Sequence, residues 1–253
     1  MLLLHGQPGS ARDWQRVLCH LGERAHAIAI DRPGWDSRTA AGGFELNGRA
    51  ALAALDAAEA QRVTVVGHSF GGGVAAWLAA HHPDRVARLL LAAPAANVAA
   101  LSALDRALAL PGVGPVLSRA TLLATGLALS AAPLRRQIAR RATIDPRYLS
   151  ALGRTLLEPP VWRAFVTEQR AMLRDLPLLE RELNQIRAPT VIVAGTLDRV
   201  VPPAATRALA AQIPGARLLL LGRAGHLLPH LHAERLSELI VEGSDQAVAR
   251  AHC

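Results

Sequence analysis

Residues Val63 to Gly73 read Val-Thr-Val-Val-Gly-His-Ser-Phe-Gly-Gly-Gly. The β-branched run at their start has the composition of a buried strand, and the apolar run from Val74 to Ala80 predicts a helix. Ser69 therefore lies at a strand-to-helix switch, inside a Gly-x-Ser-x-Gly pattern. A very sharp turn at Ser69 requires glycine on both flanks, because a Cβ two residues to either side would collide with the crossing chain.

Two roles fit this turn. A serine hydroxyl raised above the edge of a sheet can attack a carbonyl carbon, and the amide N–H of Phe70 then faces the developing oxyanion. The alternative is a glycine-rich junction that binds a phosphate or nothing. The strand before Ser69 and the helix after it favour a nucleophilic serine.

The composition is that of a globular chain. Its 253 residues are 51% hydrophobic and 19% charged, which suffices for one core and an inserted subdomain. We expect no signal peptide, because the N-terminus lacks a basic region and a cleavage site. We also expect no membrane span, because Asp105, Arg106 and Arg119 interrupt the richest apolar region. Two cysteines, Cys19 and Cys253, are too few for a disulfide framework and indicate a reducing cytoplasm.

The net charge of +8 includes no lysine, so every basic side chain counted is arginine. One interpretation is a surface for nucleic acid or anionic lipid. The other is a GC-rich coding bias that places arginine instead of lysine on ordinary solvated faces. The arginines are scattered, three phenylalanines and one tyrosine offer little base stacking, and no nucleic-acid motif is present. These observations favour the second interpretation, so we expect neither nucleic acid nor a membrane as a partner.

Strands and helices alternate along most of the chain, which predicts an α/β fold with a mostly parallel open sheet. The predicted strands are Leu2–Leu4, Ala25–Ile30, Val63–Val66, Val86–Ala92, Thr190–Ala194 and Leu218–Leu221. Predicted helices include Leu46–Ala60, Pro203–Gln212 and Ala233–Val241, and we expect the chain beyond Gly243 to fray.

The alternation stops between residues 97 and 185, where the sequence predicts helices punctuated by proline and glycine. Because the strand pattern resumes afterwards, this segment is an insertion and not a tail. The predicted core therefore comprises residues 1–96 and 186–253.

A nucleophilic serine needs a base, and the base needs a carboxylate that orients it. In parallel sheets, functional groups gather beyond the carboxyl ends of the strands. Asp198 follows a predicted strand behind Gly195, and His226 follows the last strand in a glycine-flanked loop. We therefore predict a catalytic triad of Ser69, Asp198 and His226.

Other histidines and acids fit these roles less well. His81 and His82 end a helix, and His230 and His232 lie at the start of another. Asp175, within the insertion, is a weaker candidate for the acid. For Asp198 itself, the alternative is a turn-forming residue after Gly195.

Together these motifs resemble the α/β-hydrolase fold, in the form that has a serine nucleophile and a helical lid. The order Ser69, Asp198, His226 is the order of that fold. The resemblance runs from Leu2 to about Val241, and the segments that carry it are His5-Gly6-Gln7-Pro8, Asp31-Arg32-Pro33-Gly34, Gly67 to Gly72, Gly195 to Asp198 and Gly225-His226.

The resemblance implies an oxyanion hole formed by the backbone N–H groups of Gln7 and Phe70. It also implies that the segment 97–185 is a lid, inserted after the third strand that follows the oxyanion loop. We expect the substrate pocket beneath it to be lined by His5, Gly6, His68, Trp35 and Trp162.

The chain departs from this family in two places. Asp36 stands where the family usually has glycine, so the turn and the pocket wall near Trp35 are expected to differ. The family's first two antiparallel strands are missing, which would leave the strand Ala25–Ile30 as an exposed edge. An upstream start, or a second chain in a homodimer, would cover this edge.

The parts predict a serine hydrolase that cleaves carboxylic esters of small to medium apolar acyl groups, with no metal or organic cofactor. Ser69 argues against the dehalogenases and epoxide hydrolases of this fold, which use aspartate at the elbow. Two alternatives remain open. Arginines in the insertion could recognise a carboxylate, as carbon–carbon bond hydrolases of ring-cleavage products require; they are Arg135, Arg136, Arg140 and Arg141. The second alternative is a non-catalytic receptor that keeps the fold and binds a ligand.

Overall fold

The computed structural model of the protein describes residues 1–36, 39–142 and 144–250. Ser37, Arg38 and Cys253 lie outside the described residues, as does the side chain of Arg141. Six strands form one sheet in the order β2-β1-β3-β4-β5-β6, and all five neighbouring pairs are parallel. Their bounds are β1 Leu2–Leu4, β2 Ile28–Ile30, β3 Val63–His68, β4 Val86–Ala92, β5 Thr190–Gly195 and β6 Arg217–Leu221. The α/β prediction is thereby confirmed.

Helices cover both faces of this sheet, each over its own apolar core. Those that flank the sheet are α1 Gln15–Leu21, α2 Phe44–Ala57, α3 Phe70–His81, α9 Pro203–Gln212, α10 Leu228–Leu231 and α11 Ala233–Arg250. β2 lies at one end of the sheet with β1 as its neighbour, which is the edge position expected for it.

Several bounds differ from the sequence prediction. β2 begins at Ile28, three residues later than expected, because Ala25 to Ala27 precede the part paired with β1. α2 begins at Phe44, where the Asp175 carboxylate accepts a hydrogen bond from the first N–H. α11 continues to Arg250 instead of fraying at Gly243, since the residues after that glycine are largely good helix formers.

Five helices lie between β4 and β5, where the sequence predicts an insertion; we call them the inserted helices. They are α4 Ala103–Ala109, α5 Val113–Ser130, α6 Ala132–Ala142, α7 Pro146–Leu156 and α8 Pro159–Glu180. They share an apolar cluster that Trp35 of the core also joins, and α8 packs on the sheet's core through Met172, Leu176 and Leu179. The division into a lid and a core domain stays a prediction.

One inserted helix contradicts the expectation that no segment could span a membrane. By length and composition alone, α5 is long and apolar enough to cross a bilayer. Asp105 and Arg106 lie in α4, so Arg119 is the one charged residue within α5.

Candidate active site

The turn at Ser69 has the strained geometry that the sequence predicts. Ser69 has φ 53° and ψ −120°, and α3 begins at the next residue. A Cβ at Gly67 would lie 2.3 Å from the carbonyl oxygen of Gly71. A Cβ at Gly71 would lie 2.4 Å from the carbonyl oxygen of Leu4. Only glycine therefore allows β1, the turn and α3 to approach so closely.

Backbone hydrogen bonds hold this turn in place. The carbonyl oxygen of Ser69 accepts hydrogen bonds from the N–H groups of Gly72 (2.8 Å) and Ala95 (2.9 Å). Phe70 occupies the first position of α3, where a backbone N–H has no partner within its own helix. The N-terminal end of a helix also carries partial positive charge, so this point favours an anion.

Asp198 and His226 meet at the same end of the sheet. His226 Nδ1 lies 2.8 Å from Asp198 Oδ2. The other carboxylate oxygen accepts hydrogen bonds from the N–H groups of Val200 (2.8 Å) and Val201 (3.0 Å). A carboxylate fixed in this way keeps the proton on Nδ1 and leaves Nε2 free to accept one.

The loops after β5 and β6 are bonded to each other, which explains this pairing. Leu197 N–H donates to the Ala224 carbonyl (2.8 Å), and Thr196 N–H donates to the Leu221 carbonyl (3.0 Å). A Cβ at Gly195 would lie 2.3 Å from the Ala224 carbonyl oxygen, so the loops need glycine there.

His68 links the His226 loop to the turn that carries Ser69. Its Nε2 lies 3.0 Å from the His226 carbonyl oxygen, and the two imidazole centroids are 4.9 Å apart. Burial lowers the pKa of His68 well below its usual range, and nearby His226 adds to this effect. A neutral His68 therefore donates from Nε2 to this carbonyl and sets the His226 loop against the turn.

The loop after β1 lies directly over Ser69. A Cβ at Gly6 would stand 3.0 Å from the Cβ of Ser69 and 3.0 Å from Nδ1 of His68. The amide nitrogen of the Gln7 side chain lies 3.7 Å from the Met172 sulfur on α8. Its Oε1 is buried and has no hydrogen-bond partner among the described residues. The loop thus brings an unsatisfied acceptor to its junction with α8.

His5 is a structural residue of this loop. It is fully buried; its Nδ1 lies 2.8 Å from the Gly6 carbonyl oxygen, and its Nε2 accepts a hydrogen bond from the N–H of Arg32 (3.0 Å). Burial, with the guanidinium of Arg32 as a second cause, lowers the pKa of His5 well below its usual range. Because both ring nitrogens are engaged, His5 holds the loop and does not offer the substrate a free nitrogen.

Arg32 fixes the same loop from beneath. Its side chain donates to the carbonyl oxygens of His5 (2.8 Å) and Gly6 (3.0 Å) and to Asn47 Oδ1 (3.1 Å). Its two terminal nitrogens also bind the carboxylate of Glu168, on α8. These bonds use all five donors of the guanidinium. Burial raises the pKa of Glu168, and Arg32 opposes that rise.

Trp35 bonds to the Arg32–Glu168 pair, whereas Trp162 stacks against two arginines; both pack on the apolar cluster of the inserted helices. The Trp35 indole N–H donates to Glu168 Oε1 (2.9 Å), and its ring meets that of His5 edge to face at 6.3 Å. Trp162 packs within the inserted helices, with the guanidinium groups of Arg119 and Arg163 5.7 and 5.3 Å from its ring centroid. A pocket-lining role for these two residues stays a prediction.

Comparison with known proteins agrees with this architecture. A model of the alpha/beta hydrolase family matches residues 1–239. The chain belongs to the alpha/beta hydrolase family.

Relatives of this alpha/beta hydrolase cleave different bonds. It is 28% identical, over 96% of its length and 85% of the relative's, to the 2-hydroxy-6-oxononadienedioate/2-hydroxy-6-oxononatrienedioate hydrolase of Burkholderia vietnamiensis. It is 30% identical to the pimeloyl-(acyl-carrier protein) methyl ester esterase of Neisseria meningitidis, over 95% of its own length and 76% of the relative's. A solved hydrolase of Pseudomonas aeruginosa PA01 superposes with a TM-score of 0.73 at 25% identity, over 95% of this chain and 88% of that one. The protein is an enzyme of the hydrolase type.

A second buried contact ties this hydrolase's inserted helices to its core. Tyr148, on α7, donates a hydrogen bond to Asp13 Oδ1 (2.9 Å), and its ring lies 4.5 Å from that of His230. Burial raises the pKa of Asp13 to about 7 and also raises the pKa of Tyr148. Burial lowers the pKa of His230 to about 4, with Arg16 as a lesser cause.

In this alpha/beta hydrolase, the other candidates for the acid and the base of the triad bond to different residues. Asp175 accepts the N–H of Phe44 and pairs with Arg174. His81 bonds the Trp77 carbonyl oxygen and pairs with Glu182. A cavity of about 1040 Å³ separates α2 from α8, and Ser69, Asp198 and His226 do not line it.

Sequence reasoning missed Glu168, Asp13, Tyr148 and Asn47. Arg32 lies within the Asp31-Arg32-Pro33-Gly34 motif, but its partner was not identified. A glutamate in an arginine-rich helix is normally solvated, so nothing in the sequence distinguishes Glu168. Asp13 had a signal, since it completes a capping box with Ser10, but its bond to Tyr148 spans 135 residues.

Proposed function

We propose that this hydrolase cleaves carboxylic esters of small to medium apolar acyl groups through an acyl-enzyme on Ser69. The observation that carries this proposal is the Asp198–His226 pair, set by His68 against the strained turn of Ser69. A buried carboxylate, an oriented imidazole and a serine at a helix N-terminus are the parts that nucleophilic acyl transfer needs.

The reaction follows from these groups. Ser69 Oγ attacks the ester carbonyl carbon while His226 Nε2 takes the serine proton. The N–H groups of Phe70 and Gln7 stabilise the resulting oxyanion. The tetrahedral intermediate collapses, the C–O bond to the alcohol breaks, and the alcohol leaves with the proton from His226. A water molecule then attacks the acyl-enzyme, with His226 as the base, and the acid is released.

Asp198 supports both halves of this cycle. Asp198 accepts a hydrogen bond from the Nδ1–H group of His226, which keeps Nε2 available as the base. When His226 becomes an imidazolium, the carboxylate also stabilises its charge. The N–H groups of Val200 and Val201 keep the carboxylate from rotating away.

A second candidate is hydrolysis of a carbon–carbon bond in a ring-cleavage product, which the name of the Burkholderia relative suggests. Such a substrate carries carboxylates that need cationic partners. Among the described residues, Arg32 is the arginine bonded to the loop over Ser69, and Glu168 and three other acceptors already occupy its donors. Because the donors of Arg32 are all occupied, an uncharged ester is favoured as the substrate over a dicarboxylate.

The test is a panel of nitrophenyl esters of graded chain length, with covalent labelling by a fluorophosphonate. We expect turnover and labelling by the wild type, and loss of both in Ser69→Ala. Labelling that persists in Ser69→Ala would contradict the proposed nucleophile. Failure to turn over any ester, with turnover of a ring-cleavage dioate, would favour the second candidate.

A further inference from the structure

The outward side of α5 is apolar along its whole length. Residues at helical spacing form one solvent-facing stripe. Its members are Val113, Val116, Leu117, Ala120, Ala124, Leu127 and Ala128. Val116 is 67% exposed and Leu127 62% exposed, far more than apolar side chains in a core. Water therefore contacts the face that an amphipathic helix of a globular protein normally hides.

The opposite side of α5 accounts for its packing. Gly114, Ser118, Leu122, Gly126 and Leu129 are buried against the other inserted helices. A Cβ at Gly126 would lie 2.9 Å from the carbonyl oxygen of Gly153 on α7, so the two helices touch. This close contact prevents α5 from rotating its apolar stripe inward. Of the residues of α5, 28% are buried, so it is not a core helix.

Two helices that contact α5 also expose leucines. These are Leu104 on α4 and Leu134 on α6. We define the apolar face as Leu104, Leu110, Val113, Val116, Leu117, Leu127 and Leu134. Several large apolar side chains exposed on one helix and its neighbours mark an interaction site more often than single exposed residues do.

The charge around the apolar face has one dominant sign. Residues 97–144 contain six arginines and a single acid, Asp105. That acid is bound in a capping box with Ser102. Arg136 and Arg140 are exposed on α6. This part of the chain is therefore apolar and cationic together.

Contrary to the expectation from composition alone, we propose that the apolar face docks onto the surface of an anionic lipid bilayer. A helix of 18 residues is about 27 Å long, enough to lie in the plane of the headgroups with its stripe among the upper acyl carbons. The arginines of α6 then reach the lipid phosphates, and their stems lie along the apolar boundary. The buried side of α5 stays on the protein, so the helix lies on the membrane and does not cross it.

A second copy of this chain fits the same face less well. A two-fold symmetric contact brings the same surface of both copies together. The arginines in the same stretch of chain would then be brought together from both copies, and Asp105 is the one acid in residues 97–144. Like charges held together at such a contact repel, whereas anionic lipid attracts them.

Vesicle flotation tests the proposal with the full chain. Vesicles of equal parts phosphatidylcholine and phosphatidylglycerol should bind the wild type at least tenfold more strongly than phosphatidylcholine alone, and added salt should weaken this binding. Val116→Asp/Leu127→Asp should abolish flotation. Arg136→Glu/Arg140→Glu should weaken it at least about twenty-fold, since each arginine near an anionic surface contributes about fivefold.

A matched control is the double substitution Leu46→Asp/Arg49→Glu on α2, where an exposed leucine and an exposed arginine lie far along the chain from α5. It should float like the wild type. Flotation that is absent in the wild type, or unaffected by both sets of inserted-helix substitutions, would overturn the proposal. A second result would also overturn it: the wild type fails to float and is a dimer in analytical ultracentrifugation, and Val116→Asp/Leu127→Asp dissociates that dimer.

Discussion

Glu168 on α8 accepts hydrogen bonds from both terminal nitrogens of Arg32, and both side chains are almost completely buried. The same guanidinium holds the carbonyl oxygens of His5 and Gly6 in the loop over Ser69. One ion pair therefore links α8 directly to the proposed oxyanion loop.

Replacing Glu168 with alanine should destabilise the protein strongly. The substitution leaves a buried guanidinium without its carboxylate, which typically lowers the free energy of unfolding by about 3 to 5 kcal/mol. Urea unfolding measures it. Glu45→Ala is the control, because Glu45 pairs with Arg49 on the exposed side of α2 and should contribute less than about 1 kcal/mol. Equal effects of the two substitutions would contradict a central role for the buried pair.

Asp198→Asn should nearly abolish turnover while leaving the fold intact. An amide in this position favours the wrong tautomer of His226, and the expected fall in kcat is on the order of 10⁴-fold. Steady-state kinetics on the best nitrophenyl ester measures it. Asp145→Asn, the same substitution at the N-cap of α7, should keep activity, since asparagine also caps helices well. A normal kcat for Asp198→Asn would exclude it as the orienting acid.

Gly71→Ala should damage the turn that carries Ser69. The new methyl group would meet the backbone carbonyl oxygens of Leu4 (2.4 Å) and His5 (2.5 Å), so β1 and α3 would have to separate. We expect a loss of about 1 to 3 kcal/mol in the free energy of unfolding and a lower kcat. Gly222→Ala is the matched control, because no atom lies within 4 Å of the point that its new methyl group would occupy, and stability should change by less than about 0.5 kcal/mol.

Asp13 should make stability fall as pH rises. Burial raises the pKa of its carboxyl to about 7 in the folded state, whereas the unfolded value is 3.8. Between these values the folded state binds a proton that the unfolded state has lost, so stability is greatest at low pH and is lost as pH rises through about 7. Relative to Asp13→Asn, the wild type should lose about 3 kcal/mol of unfolding free energy between about pH 5 and 8.

Urea titrations of both proteins across this range give the difference. His230, whose pKa is lowered to about 4, has the opposite slope with pH, but it is present in both proteins and cancels. A difference that does not change with pH would show that the Asp13 carboxyl keeps its ordinary pKa.

Gln7→Met should reveal whether the substrate supplies a hydrogen-bond donor. Oε1 of Gln7 is a buried acceptor without a partner, and methionine preserves the shape of the side chain but not this oxygen. If a hydroxyl on the acyl group bonds this oxygen, kcat/KM for a hydroxy ester should fall about tenfold more than for the matching deoxy ester. Equal losses for the two esters would assign Gln7 a packing role.

The sequence was sufficient for features that local chemistry determines. Gly67 and Gly71 indicate the turn because only glycine permits the close approach of backbone, and the positions of Asp198 and His226 after their strands follow from parallel topology. No signal in the sequence indicates ion pairs between residues far apart along the chain. Glu168 lies 136 residues from Arg32, and an arginine-rich helix conceals one buried glutamate among exposed charges.

The apolar stripe of α5 could not be inferred from sequence for a related reason. Its alanines and leucines are as common in buried helices, and only packing shows that Gly114, Gly126 and their neighbours occupy the inner side. Which side of a largely apolar helix faces water is a tertiary property, and hydrophobic periodicity reports it poorly when the helix carries a single charge.

The Arg32–Glu168 pair limits how this protein can be recombined. A chimaera that replaces residues 97–185 with the corresponding segment of another hydrolase would keep Arg32 buried under foreign helices. Unless the donor segment carries an acid at the position of Glu168, its guanidinium would face an apolar helix surface, and the loop over Ser69 would lose a fixed support. A donor segment should therefore be chosen first for an acid at the position of Glu168, and only then for its overall sequence similarity.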